Sequence, residues 1–460
     1  MFLLKVIFIV IFTFIQSSRS DSIDSVFDGN NYEPIYVDTK LVRLSTIDNN
    51  HQVQKLMFLD ARNVIRLLGI PIRTVKVLVP GENWPSVVDQ LEFFNVTYTI
   101  LSSDLNQYID SHKANTSSRF DERYHSFDNI TTFLTNLPIR YPSFISLKTI
   151  GHTFERREIR LVTVSTNQTQ SKPIVIYECG IHAREWISPA ACIGLINKLI
   201  NERPNFLNHF DVHVIPTLNV DGYVHSWHVD RFWRKNRHIN ASMTFFGDED
   251  DCRGVDLNRN FDVNYGVKDS STDACSENFR GQTAFDQLES IAIRDYVRNL
   301  RDQNQTIAAY FSVHSFGQLF VYPTSYMFND SNDYADLDRM GNNAVETILS
   351  TTGTEYTPGN VALILSESSG ASDDWAFDVA KVPVVFCVEL RDTGDHMFLL
   401  PPENIPGATM DLFSGTQSVL EDLIRRKSRK LDLKDNHMQV ANVVGLPSLA
   451  LIILAAIFMV

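Results

Sequence analysis

Residues 172–186 read KPIVIYECGIHAREW. The first half, Lys172 to Tyr177, is a short apolar run with β-branched residues, the pattern of a buried strand. The second half, Gly180-Ile181-His182-Ala183-Arg184-Glu185-Trp186, follows closely. Its His-x-x-Glu offers a nitrogen and a carboxylate oxygen close together, and both are good zinc ligands. By itself the pair is weak, because a lone His beside a strand is more often a satisfied core residue.

Three further runs share this character: Val212–Ile215, Ala308–Val313 and Val382–Val388. Their length suits central strands of a sheet covered on both faces. Ser188-Pro189 reads as a helix start, with Ser as N-cap and Pro as first helical residue. The apolar positions Cys192, Ile196, Leu199 and Ile200 continue that helix. Strands alternating with helices support an α/β class.

Catalytic zinc needs a third protein ligand. His314, in Ser312-Val313-His314-Ser315, is the candidate, at the end of the Ala308–Val313 run. Sites in open α/β sheets form at the carboxyl ends of strands. A second acid, Glu389, follows another strand, in Val388-Glu389-Leu390-Arg391-Asp392-Thr393-Gly394. A carboxylate there would deprotonate a zinc-bound water. Two Arg-bearing stretches remain, Arg231-Phe232-Trp233-Arg234-Lys235 and Asp256-Leu257-Asn258-Arg259-Asn260. Charge of this kind usually marks a solvated face, but Phe232 and Trp233 beside the arginines do not.

These segments, in this order, resemble the metallocarboxypeptidases of the pancreatic carboxypeptidase A/B type over roughly residues 25–425. The resemblance implies a mixed eight-stranded sheet with helices on both faces, preceded by a small α+β pro-domain. It implies that His182, Glu185 and His314 hold one Zn²⁺, and that Asp256 orients the first histidine. Glu389 would be the general base, then the acid that protonates the leaving amine. Arg234 would stabilise the oxyanion together with the metal. Asn258 and Arg259 would bind the free C-terminal carboxylate, with Arg184 near its approach; a guanidinium fork suits a carboxylate. Cys252 and Cys275 match the family's disulfide. Cys179, Cys192 and Cys387 would remain, as buried thiols or one extra pair.

The sequence departs from the family at one place. A Tyr on a mobile loop usually covers the bound C-terminus, and Ser366 stands there, with no Tyr between Thr357 and Gly394. That puts substrate closure in question more than the chemical step. Asp373 aligns with the pocket-bottom position that is acidic in carboxypeptidase B-like members and apolar in A-like ones. An acid there would pair with a C-terminal Lys or Arg; the plainer reading is that Asp373 or Asp374 caps a helix.

Before this core, residues 21–118 read as a separate small domain. Val75–Val79 alternates as a half-buried strand, Leu41–Leu44 is a shorter strand, and Trp84, Val87, Val88, Leu91 and Phe94 have helical spacing. The hydrophilic stretch Ser111–Asp121 reads as an exposed linker. Arg119 is the first choice for cleavage by an activating protease, with Lys113 and Arg123 close behind.

The ends speak for a secretory route. Residues 1–20, MFLLKVIFIVIFTFIQSSRS, have the pattern of a signal peptide cut after Ser20. Seven N-x-[ST] sequons, at Asn95, Asn115, Asn129, Asn167, Asn240, Asn304 and Asn329, agree with glycosylation. The tail 443–460, VVGLPSLALIILAAIFMV, is uncharged and close to the roughly 20 residues a span needs. It reads as a GPI-attachment signal or a membrane anchor, after a basic stalk, Arg425 to Lys430. The layout is therefore 1–20 signal, 21–118 pro-domain, 119–425 catalytic domain and 426–460 stalk and tail.

Composition narrows the alternatives. With 41 Lys+Arg against 55 Asp+Glu the net charge is −14, which argues against nucleic acid. Five cysteines in 460 residues are too sparse for a disulfide scaffold. No G-x-S-x-G elbow supports a serine hydrolase. The competing expectation is a catalytically impaired homologue that binds peptide C-termini or a partner, which Ser366 keeps open.

Overall fold

The computed structural model describes residues 36–68, 73–113, 119–166, 171–239, 252–327 and 334–444, with side chains described up to Ser428. The signal peptide, residues 445–460 of the tail, and Asn115, Asn167, Asn240 and Asn329 lie outside these residues. Among the described residues no helix is long and apolar enough to cross a membrane. The chain forms two compact units: residues up to Tyr108 with His228–Asp230, and Ile109–Trp227 with Arg231 onward.

The first unit has four antiparallel strands, β1 (Thr39–Ile47), β2 (Arg66–Leu67), β3 (Arg73–Pro80) and β4 (Thr97–Ser102), in the order β2-β3-β1-β4. Val42, Leu44, Val75, Val77 and Val79 meet Leu56, Leu59, Val87 and Leu91 in one core. The last four lie on helices Asn50–Ala61 and Trp84–Phe93. A capping box between Asn49 and Gln52 starts the first helix. The small α+β unit expected from the sequence is therefore present.

The stretch Ser111–Asp121 is not all exposed linker. A helix runs through Lys113, and His112 is buried, its Nε2 3.0 Å from the Leu399 carbonyl oxygen. A hydrophilic tripeptide on a helix end hid that anchor. Arg119 does lie exposed, paired with Asp121.

The second unit is built on one sheet of eight strands: β5 (Ile145–His152), β6 (Glu158–Val164), β7 (Ile174–Cys179), β8 (Asp211–Ile215), β9 (Ile307–Ser315), β10 (Leu319–Tyr322), β11 (Thr357–Asn360) and β12 (Val385–Leu390). Their order is β11-β10-β12-β9-β7-β8-β6-β5. The middle four, β8, β7, β9 and β12, run parallel, so their carboxyl ends share one edge. That edge carries the site. Every residue of β7 is buried, as a central strand between two helix layers requires.

Each face of the sheet has its own core. On one, Val175, Tyr177, Phe311 and Phe386 pack with Leu195, Leu199, Ile348 and Leu412. These last come from helices Ile187–Glu202, Ala335–Thr352 and Ile405–Val444. On the other, Ile176, Ile215 and Tyr310 pack with Ile293 and Val297 of helix Leu288–Asp302.

Ser188 is not the N-cap expected from the sequence. The helix begins at Ile187 after Trp186, without a side-chain cap. The Ser188 hydroxyl instead accepts from the Gly180 amide at 3.0 Å and donates to the Val313 carbonyl at 2.5 Å. It ties the turn after β7 to the end of β9, a use that local capping rules do not foresee.

Candidate active site

Gly180 follows β7 at φ +66, and an added Cβ would meet Pro189 at 3.0 Å and Thr217 at 3.3 Å. That turn sends His182 and Glu185 off the carboxyl end of β7. A disulfide from Cys179 to Cys192 closes the same loop from below. Closing a loop of this length stabilises the fold by about 3 kcal/mol on the chain-entropy view. It is the extra pair the sequence left open. Cys252 pairs with Cys275, and Cys387 is a buried free thiol.

His182, Glu185 and His314 converge as a buried group, their ligand atoms within 4.8 Å of one another. His182 Nδ1 lies 2.8 Å from Glu185 Oε1, and His314 Nδ1 lies 3.1 Å from Glu185 Oε2. Two atoms bound tetrahedrally at ~2.1 Å sit roughly 3.4 Å apart, so this donor set suits zinc. The local field also calls for positive charge. Burial opposes the charged form of His314, yet Glu185 and then Glu389 raise it to about 9.

Asp256 stands behind His182, Oδ1 to Nε2 at 3.2 Å. Its other oxygen takes two bonds from Arg234, Nε at 3.0 Å and Nη2 at 2.8 Å. Arg234 Nη1 then reaches to 3.3 Å from His182 Nδ1, at the edge of the cage. Phe232 and Trp233 are buried, so this basic stretch is a structural floor and not a solvated face.

One cleft is lined by His182, Glu185, His314, Arg234, Asn258 and Arg259 together with Asp373, Glu389 and Ser366. Glu389 lies beside His314 in register between β12 and β9. Its Oε2 is buried with no partner among the described residues. Burial pushes its carboxyl up, and Glu185 adds to this while His314 opposes it. Asn258 is oriented by the Ser372 amide, which donates to its Oδ1 at 2.8 Å; its NH₂ end is thereby left for another partner.

Both arginines expected at the clamp and its approach have acidic neighbours. Arg259 donates to Asp269, Nη2 to Oδ2 at 2.8 Å and Nε to the carbonyl at 2.7 Å. Arg184 donates to Glu277 at 2.9 Å and stacks on Phe398, 4.4 Å from the ring centre. Only the position of these acids past Asn260, on a loop, could have hinted at them.

Asp373 sits in a short helix, Ser372–Asp374, and faces the cleft. Burial raises its carboxyl, with His314 opposing. Asp374 points elsewhere, accepting from the Ser325 amide at 2.8 Å. Gly370, at φ +73, lets this segment approach: a Cβ would lie 2.3 Å from the Arg259 carbonyl oxygen. Ser366 is exposed on the cleft rim.

The cage, the unpaired buried carboxylate of Glu389 and the arginines that line the same cleft have the parts of a metal-dependent hydrolase site. The comparisons give the family. The zinc carboxypeptidase family matches residues 130–414, more than half of the chain. Carboxypeptidase B of Homo sapiens is 31% identical over 391 residues, covering 81% of this chain and 90% of that one. Carboxypeptidase A2 of Mus musculus is 30% identical over 400 residues, covering 82% and 92%. The crystal structure of thrombin activatable fibrinolysis inhibitor is similar with a TM-score of 0.76 at 28% identity, covering 84% of this chain and 99% of that chain. The chain belongs to the zinc carboxypeptidase family. It is a metallocarboxypeptidase, a hydrolase on the eight-stranded fold of those relatives.

Proposed function

We propose that this enzyme removes the C-terminal residue of peptides and proteins, preferring Lys and Arg, with one Zn²⁺ per chain. The observation that carries the reading is the shared cleft: Asp373, Glu389, Asn258 and Arg259 all line the space in front of the three-ligand cage. The likeness to carboxypeptidase B supports the basic preference.

His182, Glu185 and His314 would hold the metal, with Asp256 fixing the tautomer of His182. Zinc held there would supply Lewis-acid chemistry at the scissile carbonyl. Glu389 takes a proton from the attacking water and returns it to the leaving amine. Arg234, held by Asp256, faces the developing oxyanion. Asn258 and Arg259 bind the terminal carboxylate, and Arg184 lies on its approach. Asp373 receives the cationic side chain at the pocket bottom. An internal peptide bond has no carboxylate to offer, so the enzyme acts from the end.

The remaining features describe its life before the cleft works. The chain is made for the secretory pathway; the two disulfides support an oxidising compartment. The three described sequon asparagines, Asn95, Asn129 and Asn304, are all exposed. Residues 21–118 act as a pro-region, removed by a protease that cuts at Arg119. Membrane attachment through the tail rests on its sequence alone.

The test is hydrolysis of matched peptides ending in Arg, Lys, Phe, Leu or Glu, by protein cut at Arg119, with and without a zinc chelator. Chelator-sensitive release of Arg and Lys is expected. Release of Phe or Leu instead removes the role of Asp373. No release from folded, zinc-loaded protein would favour the binding-protein reading that Ser366 allows. Equal activity in protein with an uncuttable 113–123 segment would remove the zymogen.

A further inference from the structure

Glu178, next to last in the wholly buried strand β7, takes no part in the proposed mechanism. It has no exposed surface, and one of its oxygens gathers three hydroxyls. Ser372, Tyr310 and Ser312 donate to Oε2 at 2.6, 3.1 and 3.2 Å. The other oxygen, Oε1, has no partner among the described residues. A carboxylate this deep is strongly destabilising unless something nearby needs its charge.

The hydroxyl of Ser312 shows what does. Its Oγ lies 3.0 Å from His314 Nε2. His314 turns Nδ1 toward Glu185 and the centre of the cage. With Nδ1 given to a metal, the ring proton must sit on Nε2 and be donated outward. Ser312 is the acceptor, and a hydroxyl that accepts there has one proton left to give. Two acceptors face that proton, Glu178 Oε2 at 3.2 Å and the Ser372 Oγ at 3.3 Å, and the carboxylate is the nearer and the stronger.

We infer that Glu178, acting through Ser312, is the outer carboxylate of the His314 side of the cage. It is a positioning residue, the counterpart of Asp256, which touches His182 directly. The two histidines are thus backed by two acids, one in contact and one across a hydroxyl. Each fixes a tautomer and makes its ring a better donor to a cation. The same carboxylate also holds Ser372, whose amide orients Asn258 and whose neighbour is Asp373. The inference rests on the reading of His182, Glu185 and His314 as a metal cage.

The test is zinc affinity, measured on the full chain by competition with a chelating dye. Glu178→Gln keeps the shape and an acceptor oxygen and removes the charge; Ser312→Ala breaks the path and leaves the charge. Both are expected to bind zinc about 10–100-fold more weakly than the unaltered protein, the usual range for an outer partner of a ligand. The double variant should lose little more than either single, since the two act in series. The visible spectrum of the cobalt-loaded protein should shift in both singles. Folded Glu178→Gln with unchanged affinity overturns the inference, and so does loss in Glu178→Gln with none in Ser312→Ala. An unaltered protein that binds no zinc overturns the cage reading instead.

Discussion

The cage and the clamp are both built from charged side chains, but they are held in different ways. His182, Glu185 and His314 are buried on or beside central strands, and Asp256 and Ser312 lock their outer faces. Arg259 and Arg184 are held by Asp269 and Glu277, acids that are about half exposed. Ser366 and Leu365 stand exposed on the rim. If the proposed roles hold, the difference teaches that the groups of the chemical step are fixed by the core, while the arginines of the clamp lean on partly exposed acids that water and salt can loosen.

The sharpest way to test the buried half is Glu389→Gln. It should lower kcat by about 10²–10⁴-fold with zinc content unchanged. Steady-state hydrolysis of an Arg-ending peptide with parallel metal analysis decides this; near-normal kcat would take the base away from Glu389.

Asp373 joins the two halves, since it is buried yet lines the cleft. Asp373→Asn should reduce the ratio of kcat/KM for Arg-ending over Leu-ending peptides by about 10–100-fold, the range for losing a charged hydrogen bond. An unchanged ratio would leave Asp373 as a helix residue only.

The clamp should respond more gently. Arg259→Gln is expected to raise KM about tenfold, and Arg184→Gln only a few-fold, because Arg184 also packs on Phe398. Equal effects would erase the distinction between clamp and approach. Smallest of all, Ser366→Tyr should lower KM a few-fold with little change in kcat, as one added hydrogen bond would. A changed kcat would mean that this position reaches the chemical step.

The same contrast explains what could be read in the sequence. His182, Glu185, His314 and Glu389 were legible because each ends or follows an apolar strand run, and strand ends meet at one edge of the sheet. The β8, β7, β9 and β12 runs were legible for the same reason, as buried apolar segments. Ser188 was misread because its bonds go to Gly180 and Val313, one of them 125 residues away. Asp269 and Glu277 were not visible as partners, because their loop is placed by the Cys252–Cys275 bridge and Asn278 rather than by any periodic pattern. Glu178 carried the one hint, an acid inside an apolar strand. Its partners Tyr310, Ser312 and Ser372 lie more than 130 residues downstream.

The most direct measurement compares one peptide ending in Arg as the free acid and as its amide. Protein cut at Arg119 is used, with and without chelator, and released Arg or Arg-amide is counted by mass spectrometry. The account predicts that Arg leaves the free acid, that the amide stays intact, and that chelator stops the reaction. Equal cleavage of the amide, or release that survives loss of the metal, would contradict it.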